Sequence, residues 1–531
     1  MKITIKPGIN KVKISYEGIF NDYFKKNKIL ETMPSIFSYF PNPFETISNN
    51  SDQDFTNHTY EKILSNIKDY YRDINNTFGK HVNNASQKSS KDRLKVIPAN
   101  GHDRCNYVAR YGIANFQIQA VIKFDSRLDY DKLSKAVRLS VESEPVLGCR
   151  FVESDPPYWK RIDDVDKIKF CFIEETNNVD DAVSRFLESP LDMDKDPMVK
   201  LKLIRSDIYD TLCIKINHSC CDGAGTKEYI QLLSELYSSI DQENSKVNIQ
   251  PRISGRKDQD KLFSTLGIKN PEIGWNPYLD LPKTIWAFPL KYVKTDSIRF
   301  VKCSLTQEQM DLLSKYGKAR GASINDLLLT AYYRALFHIS RPLYGIPMDI
   351  SSTIDLRRYL PNQKAESIRN FSGGFNTRIA RIRDESFDGT LSRIMQETKK
   401  IKNGNAGLQN ARGAEFIEKM NFNQISDYFK RTSKFSDIAS MYSAFNGNIC
   451  MPGLSNIGFV SKSPIKFGKS VANEAYILPP VVRAPGILLL AGTYNGILTL
   501  ISGYYKGSIS HKDAYGLVAR IKDELVNVCR P

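Results

Sequence analysis

His218 and Asp222 stand four residues apart in the run Ile214-Lys-Ile-Asn-His-Ser-Cys-Cys-Asp-Gly-Ala-Gly225, and both side chain types suit acid–base chemistry. An imidazole with an unperturbed pKa of about 6.5 is mostly neutral at pH 7, ready to take a proton from an attacking hydroxyl or amine. Asp222 is close enough in sequence to brace the same loop, and Gly223 and Gly225 allow sharp backbone turns in it. Cys220 and Cys221 raise a rival chemistry, a Cys–His acyl-enzyme. Against that, free cysteine more often serves as a small buried hydrophobe.

The elements that must position these residues are legible on either side. Leu212 to Ile216 reads as a strand, and Tyr229, Ile230, Leu232, Leu233, Leu236 and Tyr237 recur at helical spacing over Thr226 to Ile240. His218 and Asp222 therefore sit on a strand-to-helix loop. The helix start brings backbone N–H groups and a positive dipole end, useful where an oxyanion forms. Upstream, Gly112 to Phe124 reads as an alternating strand, and Asp129 to Glu142 as a helix with Leu133, Ala136, Val137 and Val141 inward. Glu144-Pro-Val-Leu-Gly-Cys-Arg-Phe151 turns into another strand, and Pro197 to Arg205 pairs with Leu212 to Ile216 as a hairpin. Downstream, Thr306 and Gln309 form a capping box, and Ser323 caps a helix over Ile324 to Ile339 that is apolar on most sides. Ile346 to Ile354 is a strand ending in Asp355-Leu-Arg-Arg-Tyr-Leu-Pro361. Gly486 to Thr493 and Ile497 to Tyr505 form a hairpin about Asn495-Gly496, and Lys512 to Val528 is a closing helix.

His-x-x-x-Asp-Gly between a strand and a helix resembles the active-site motif of the chloramphenicol-acetyltransferase-like superfamily. Condensation domains of non-ribosomal peptide synthesis and alcohol acetyltransferases belong to it. The family often has two adjacent histidines; here Asn217 takes the first place and His218 the second, which is the family's base. The resemblance implies direct acyl transfer from a coenzyme A or carrier-protein thioester to an alcohol or amine, with no acyl-enzyme. It implies that Asp222 is structural, held by an arginine from the second lobe, with Arg357 the first choice and Arg358 the alternative. Asn370-Phe-Ser-Gly-Gly374 is similar to the family's Gly-Asn segment, with Arg369 where glycine is common. Leu454-Ser-Asn-Ile-Gly458 is similar to a Ser-Asn-x-Gly segment beside the channel. Asn217, Asn370, Ser455 and Asn456 are thus expected to line that channel, and Ser455 and Asn456 equally read as turn residues.

The expected fold is α/β (α+β): two lobes, each a mixed β-sheet with helices, a channel between them, and an N-terminal extension. The extension and linker occupy residues 1–94, with an amphipathic helix over Tyr60 to Phe78. The first lobe follows at 95–255, the inter-lobe crossing at 256–296 and the second lobe at 297–531. Nine scattered cysteines with no CxxC pair argue for reduced thiols in a cytoplasmic protein and against a structural metal site. No run of about 18 apolar residues exists, so no membrane span is expected. Met1 to Pro7 lacks the apolar core of a secretory signal. A net charge of +16 permits nucleic-acid binding, but the lysines are spread along the chain without interleaved aromatics. A basic rim would equally attract acidic partners, coenzyme A phosphates or an acyl carrier protein.

Overall fold

The computed structural model describes residues 96–529 except 112, 193–194, 241–248, 254–256, 272–283 and 434–448. The helix expected over 60–78 and Trp275 lie outside the described residues. The first half runs β1 (Val96–Pro98), α1 (Gly101–Val108), β2 (Gln117–Phe124), α2 (Tyr130–Ser143), β3 (Cys149–Val152), β4 (Tyr158–Arg161), β5 (Cys171–Glu175), α3 (Val179–Glu188), β6 (Val199–Arg205), β7 (Asp210–Asn217) and α4 (Gly223–Ser239). The crossing contributes α5 (Lys257–Thr265) and β8 (Trp286–Ala287). The second half runs β9 (Ile298–Leu305), α6 (Gln307–Ala319), α7 (Ile324–Ser340), β10 (Pro347–Asp355), β11 (Ser372–Ala380), α8 (Phe387–Asn403), α9 (Leu408–Glu418), α10 (Phe422–Ser433), β12 (Ile449–Phe459), β13 (Lys466–Phe467), β14 (Ser470–Leu478), β15 (Gly486–Tyr494), β16 (Ile497–Tyr505) and α11 (His511–Asn527).

The expected two sheet-bearing lobes are present. A six-stranded sheet, ordered β13-β14-β2-β7-β6-β5, forms the first, and β1-β4-β3 make a small sheet beside it. The second lobe is ordered β11-β10-β12-β15-β16-β9, with β8 paired to β12. The caps read from sequence are in place, Thr306 with Gln309 on α6 and Ser323 on α7, where Asp326 completes a second capping box; Asp129, read as the first residue of α2, is its cap. Helix α7 is buried through most of its length, against a core that includes Leu489 and Leu500 of the sheet. Asn495 and Gly496 both take positive φ, 48° and 75°, as the two-residue turn between β15 and β16 demands.

Two features depart from expectation. Strand β2 does not alternate; all but one of its residues are buried, because helices α2 and α4 cover one face of the sheet and α3 covers the other. Strands covered on both sides lose the period-two signal. Secondly, the expected second lobe, 297–531, is not one body in space. Strands β13 and β14 leave it to join the first-lobe sheet, where β14 pairs antiparallel with β2 from Ala472↔Phe124 to Leu478↔Gln119. Hydrophobic residues Ala475 and Ile477 complete the first-lobe core.

Candidate active site

Strand β7 ends at Asn217, and the chain turns through His218–Cys220 before α4 begins at Gly223. The turn is fixed on its own side by His218 N–H donating to the Phe116 carbonyl at 2.7 Å. Phe116 holds an unusual left-handed backbone, φ 44°, and its ring tilts against the imidazole at 5.8 Å between centroids. Asn217, expected to face a channel, is instead buried; its Oδ1 accepts from Ser219 N at 2.9 Å and from the Ser219 hydroxyl, stiffening the turn.

The other half of the site comes from the second lobe. Asn370 is buried rather than channel-lining. Its Nδ2 donates to the carbonyls of His218 at 2.7 Å and Ser219 at 2.9 Å, and its Oδ1 lies 2.9 Å from His218 Nδ1. The amide has one sensible orientation, since flipping it would set its oxygen against two carbonyl oxygens. Asn370 Oδ1 is therefore an acceptor, Nδ1 of His218 carries the proton, and Nε2 keeps the lone pair. The ring is only half-buried. Burial pushes its pKa below the ordinary 6.5, and the Asp222 carboxylate partly opposes that. A neutral imidazole with a free Nε2 is the form a general base requires.

Asp222 does not touch the ring; its carboxylate is already engaged. Oδ1 caps α4 by accepting from Gly225 N at 2.8 Å, and Oδ2 accepts from Arg357 Nη1 at 2.9 Å and Phe371 N at 2.7 Å. Burial alone would push this carboxyl up, but the Arg357 guanidinium and the backbone donors hold it below the usual carboxylate range. Arg357 is buried and also approaches Glu228 at 3.3 Å and Asp355 at 3.2 Å. Arg358 is exposed and stacks on Tyr359. The helix terminus considered for an oxyanion is thus capped by Asp222. Gly223 lets Ile457 of β12 pack close, since a Cβ there would meet Ile457 Cγ2 at 3.3 Å. Lys227 Nζ donates to the Ile457 carbonyl at 2.8 Å, a further tie between lobes.

Cys220 and Cys221 are buried, and burial raises both thiols well above their ordinary pKa. Both properties argue against a nucleophilic role for either thiol. Ser455 and Asn456 are part-buried on β12; Ser455 Oγ accepts from Thr353 Oγ1 at 3.0 Å, and Asn456 Oδ1 accepts from Gly458 N at 3.1 Å across a β-bulge. The hydrogen bond from Gly458 N to Asn456 across the bulge fits the turn reading.

Several supporting residues escaped the sequence reading. Arg369, noted only as a misfit for glycine, is buried and pairs with buried Asp258 of α5 at 3.3 Å. Its carbonyl accepts from Arg357 Nη2 at 3.1 Å. Glu144, in the Glu-Pro-Val-Leu-Gly turn, accepts from Ile368 N at 3.1 Å and pairs with Arg252 at 2.7 Å. The misfit at Arg369 was a usable signal, for a buried arginine implies a carboxylate partner. Asp258 gave none, lying in a polar stretch. Among the described residues no three His, Cys, Asp or Glu side chains form a metal-binding group, and no helix is long and apolar enough to cross a membrane.

In sequence the chain is similar to condensation domains, and in fold it is similar both to condensation domains and to an acetyltransferase. Residues 113–343 match the family model described as Condensation domain. The fold is similar to polyketide synthase associated protein 5 of Mycobacterium tuberculosis, with TM-score 0.57 and 18% identity, over 82% of this chain and 98% of that one. It is also similar to the trichothecene 15-O-acetyltransferase of Fusarium sporotrichioides, with TM-score 0.57 and 14% identity, over 81% and 94% of the respective chains. In sequence, an uncharacterized protein of Mycobacterium tuberculosis strain H37Rv is 23% identical over 46% of this chain and 57% of its own length. Tyrocidine synthase 3 of Brevibacillus parabrevis is 21% identical over 58% of this chain and 5% of that protein. The chain thus spans little more than half of the first of these relatives and a small part of the second.

Proposed function

We propose that this protein is an acyltransferase that moves an acyl group from a thioester, on coenzyme A or on an acidic carrier protein, to a small-molecule alcohol or amine. The observation that carries the reading is the contact of His218 Nδ1 with Asn370 Oδ1 at 2.9 Å, on a part-buried residue where the lobes meet, from which we infer that Nε2 is the nitrogen left to accept a proton. Nε2 takes the proton from the acceptor as its oxygen or nitrogen attacks the thioester carbonyl. Collapse of the tetrahedral adduct expels the thiolate, which takes the acceptor's proton from Nε2 of His218, and no acyl-enzyme forms. The trichothecene acetyltransferase among the structural relatives supports an alcohol acceptor. A second reading, a stand-alone condensation enzyme of non-ribosomal-peptide type forming an amide or ester, is favoured by the Condensation family match and by tyrocidine synthase 3.

The test is to incubate the protein with a panel of acyl-CoA and acyl-carrier thioesters, with and without candidate acceptors, and to follow thiol release and the acylated product. Acceptor-dependent release lost in His218→Ala supports transfer, and preference for the carrier-bound donor selects the second reading. Binding of thioesters without any release would instead make this a non-catalytic acyl-thioester or carrier-protein binding protein.

A further inference from the structure

The far end of the second lobe carries a surface that the active site does not use. Where α7 gives way to β10, Leu343 is 73% exposed, and Tyr344 and Ile346 stand about half exposed beside it. The adjoining connection from β11 to α8 adds exposed Ile382. The two connections are one surface: Gly345 N donates to the Arg381 carbonyl at 3.0 Å, and Pro347 pairs with Ala380 across the strands.

Arginines ring these apolar tips. Arg381 lies 4.5 Å and Arg383 5.3 Å from the centre of the Tyr344 ring, and Arg341 ends α7 in a left-handed turn. None of the three forms an ion pair with a carboxylate among the described residues, although Asp384 is exposed next to Arg383. The local field is positive. The pKa of nearby His338 is lowered, by burial first and then by Arg520, Arg341 and Arg381, against a single opposing carboxylate, Glu524.

We propose that this surface docks the protein onto an anionic lipid bilayer. Aliphatic side chains at loop tips enter the acyl boundary, a tyrosine sits at headgroup depth, and arginines meet lipid phosphates; that combination is what binds interfacial proteins. The net charge of +16 adds long-range attraction toward such a surface. An acidic protein is the competing occupant. The bilayer is favoured because the apolar groups stand at the tips of two neighbouring connections, which suits insertion. The patch lies at the opposite end of β10 from Arg357, about 26 Å at 3.3 Å per residue. Docking therefore holds the Arg357 end of β10 away from the bilayer.

The experiment is co-sedimentation of the full chain with vesicles of phosphatidylcholine alone and of an equal mixture with phosphatidylglycerol. The wild type should pellet with the mixed vesicles only and be released by salt. Arg381→Gln with Arg383→Gln should weaken partition about twenty-fivefold, at about fivefold per arginine. Leu343→Ser with Ile346→Ser should weaken it about tenfold. The Leu343→Ser with Ile346→Ser variant should keep the wild-type melting temperature because both side chains are exposed; Arg383→Gln alone, at an exposed position, serves the same check for the arginines, since Arg381 also donates to the Pro342 carbonyl at 3.4 Å. Absence of pelleting, equal pelleting on neutral vesicles, or variants that pellet like wild type would overturn the proposal. So would a concentration-dependent dimer in light scattering that Leu343→Ser with Ile346→Ser abolishes, which would assign the patch to a second copy of the chain.

Discussion

A side-chain amide decides which nitrogen of His218 can act. Because Asn370 spends both N–H bonds on carbonyls, its oxygen must accept from Nδ1, and Nε2 is left as the base. Replacing His218 by alanine should lower transfer about 10²–10⁴-fold with an unchanged melting curve. Because burial lowers the imidazole's pKa, the acid limb of the kcat/KM profile should have its midpoint below the ordinary 6.5. A midpoint above 6.5 would mean that the ring is not the titrating base. Asp222→Asn should lower stability, by about 3–5 kcal/mol in a urea melt, as well as activity, since it strips a buried arginine of one partner. Lost activity with native stability would give Asp222 a direct role in the chemistry. Alkylation of the accessible thiols should leave turnover intact, since Cys220 and Cys221 are both buried and protonated. His218, Asp222 and Arg357 were readable because their types and order form a motif. Asn217 and Asn370 were found in place but given the wrong surroundings, because sequence does not say which way a side chain turns from a loop.

Among the elements, β7 shows what a covered sheet asks of polar residues. Lys215 is buried on it, with Nζ donating to the Phe186 carbonyl at 2.6 Å, to the Ser189 carbonyl and to the Ser189 hydroxyl, so it caps the end of α3. Burial lowers its pKa to about 7, with Lys200 adding to the effect. The unfolded chain keeps that proton up to about pH 10.4, while the native state loses it from about 7. The unfolded state thus binds more protons across this window, and stability rises with pH there. Differential scanning fluorimetry from pH 7 to 10 should show that rise flattened in Lys215→Met; an identical profile would mean that the lysine stays charged in the fold. The hairpin at Asn495-Gly496 and the caps at Thr306 and Ser323 were legible because turns and caps are written in local residues. Helices α8–α10 and strand β11 were not assigned, and β2 was read as alternating, because its burial is set by elements distant in sequence.

For the whole molecule, the order of lobes was legible but their boundary was not. Nothing in Ser470–Leu478 announces that it pairs with β2 rather than with its own lobe, as both sheets offer an apolar face. A fragment of residues 95–255 should therefore be poorly soluble, since its β2 edge would lie open. Supplying the remaining residues in trans should rescue it, read by soluble yield and by circular dichroism. A monomeric, cooperatively melting fragment would show that β14 is dispensable to the first lobe.

The route of β14 limits how the halves can move. Just beyond it Asn115 N donates to the Val481 carbonyl at 3.1 Å, and Arg483 N donates to the Ile113 carbonyl at 2.8 Å, before the chain re-enters the other sheet. The polypeptide is laced across the seam, so the halves cannot swing wide like a clamshell around a cargo. Separating them would break these backbone hydrogen bonds and strip β14 from the first sheet.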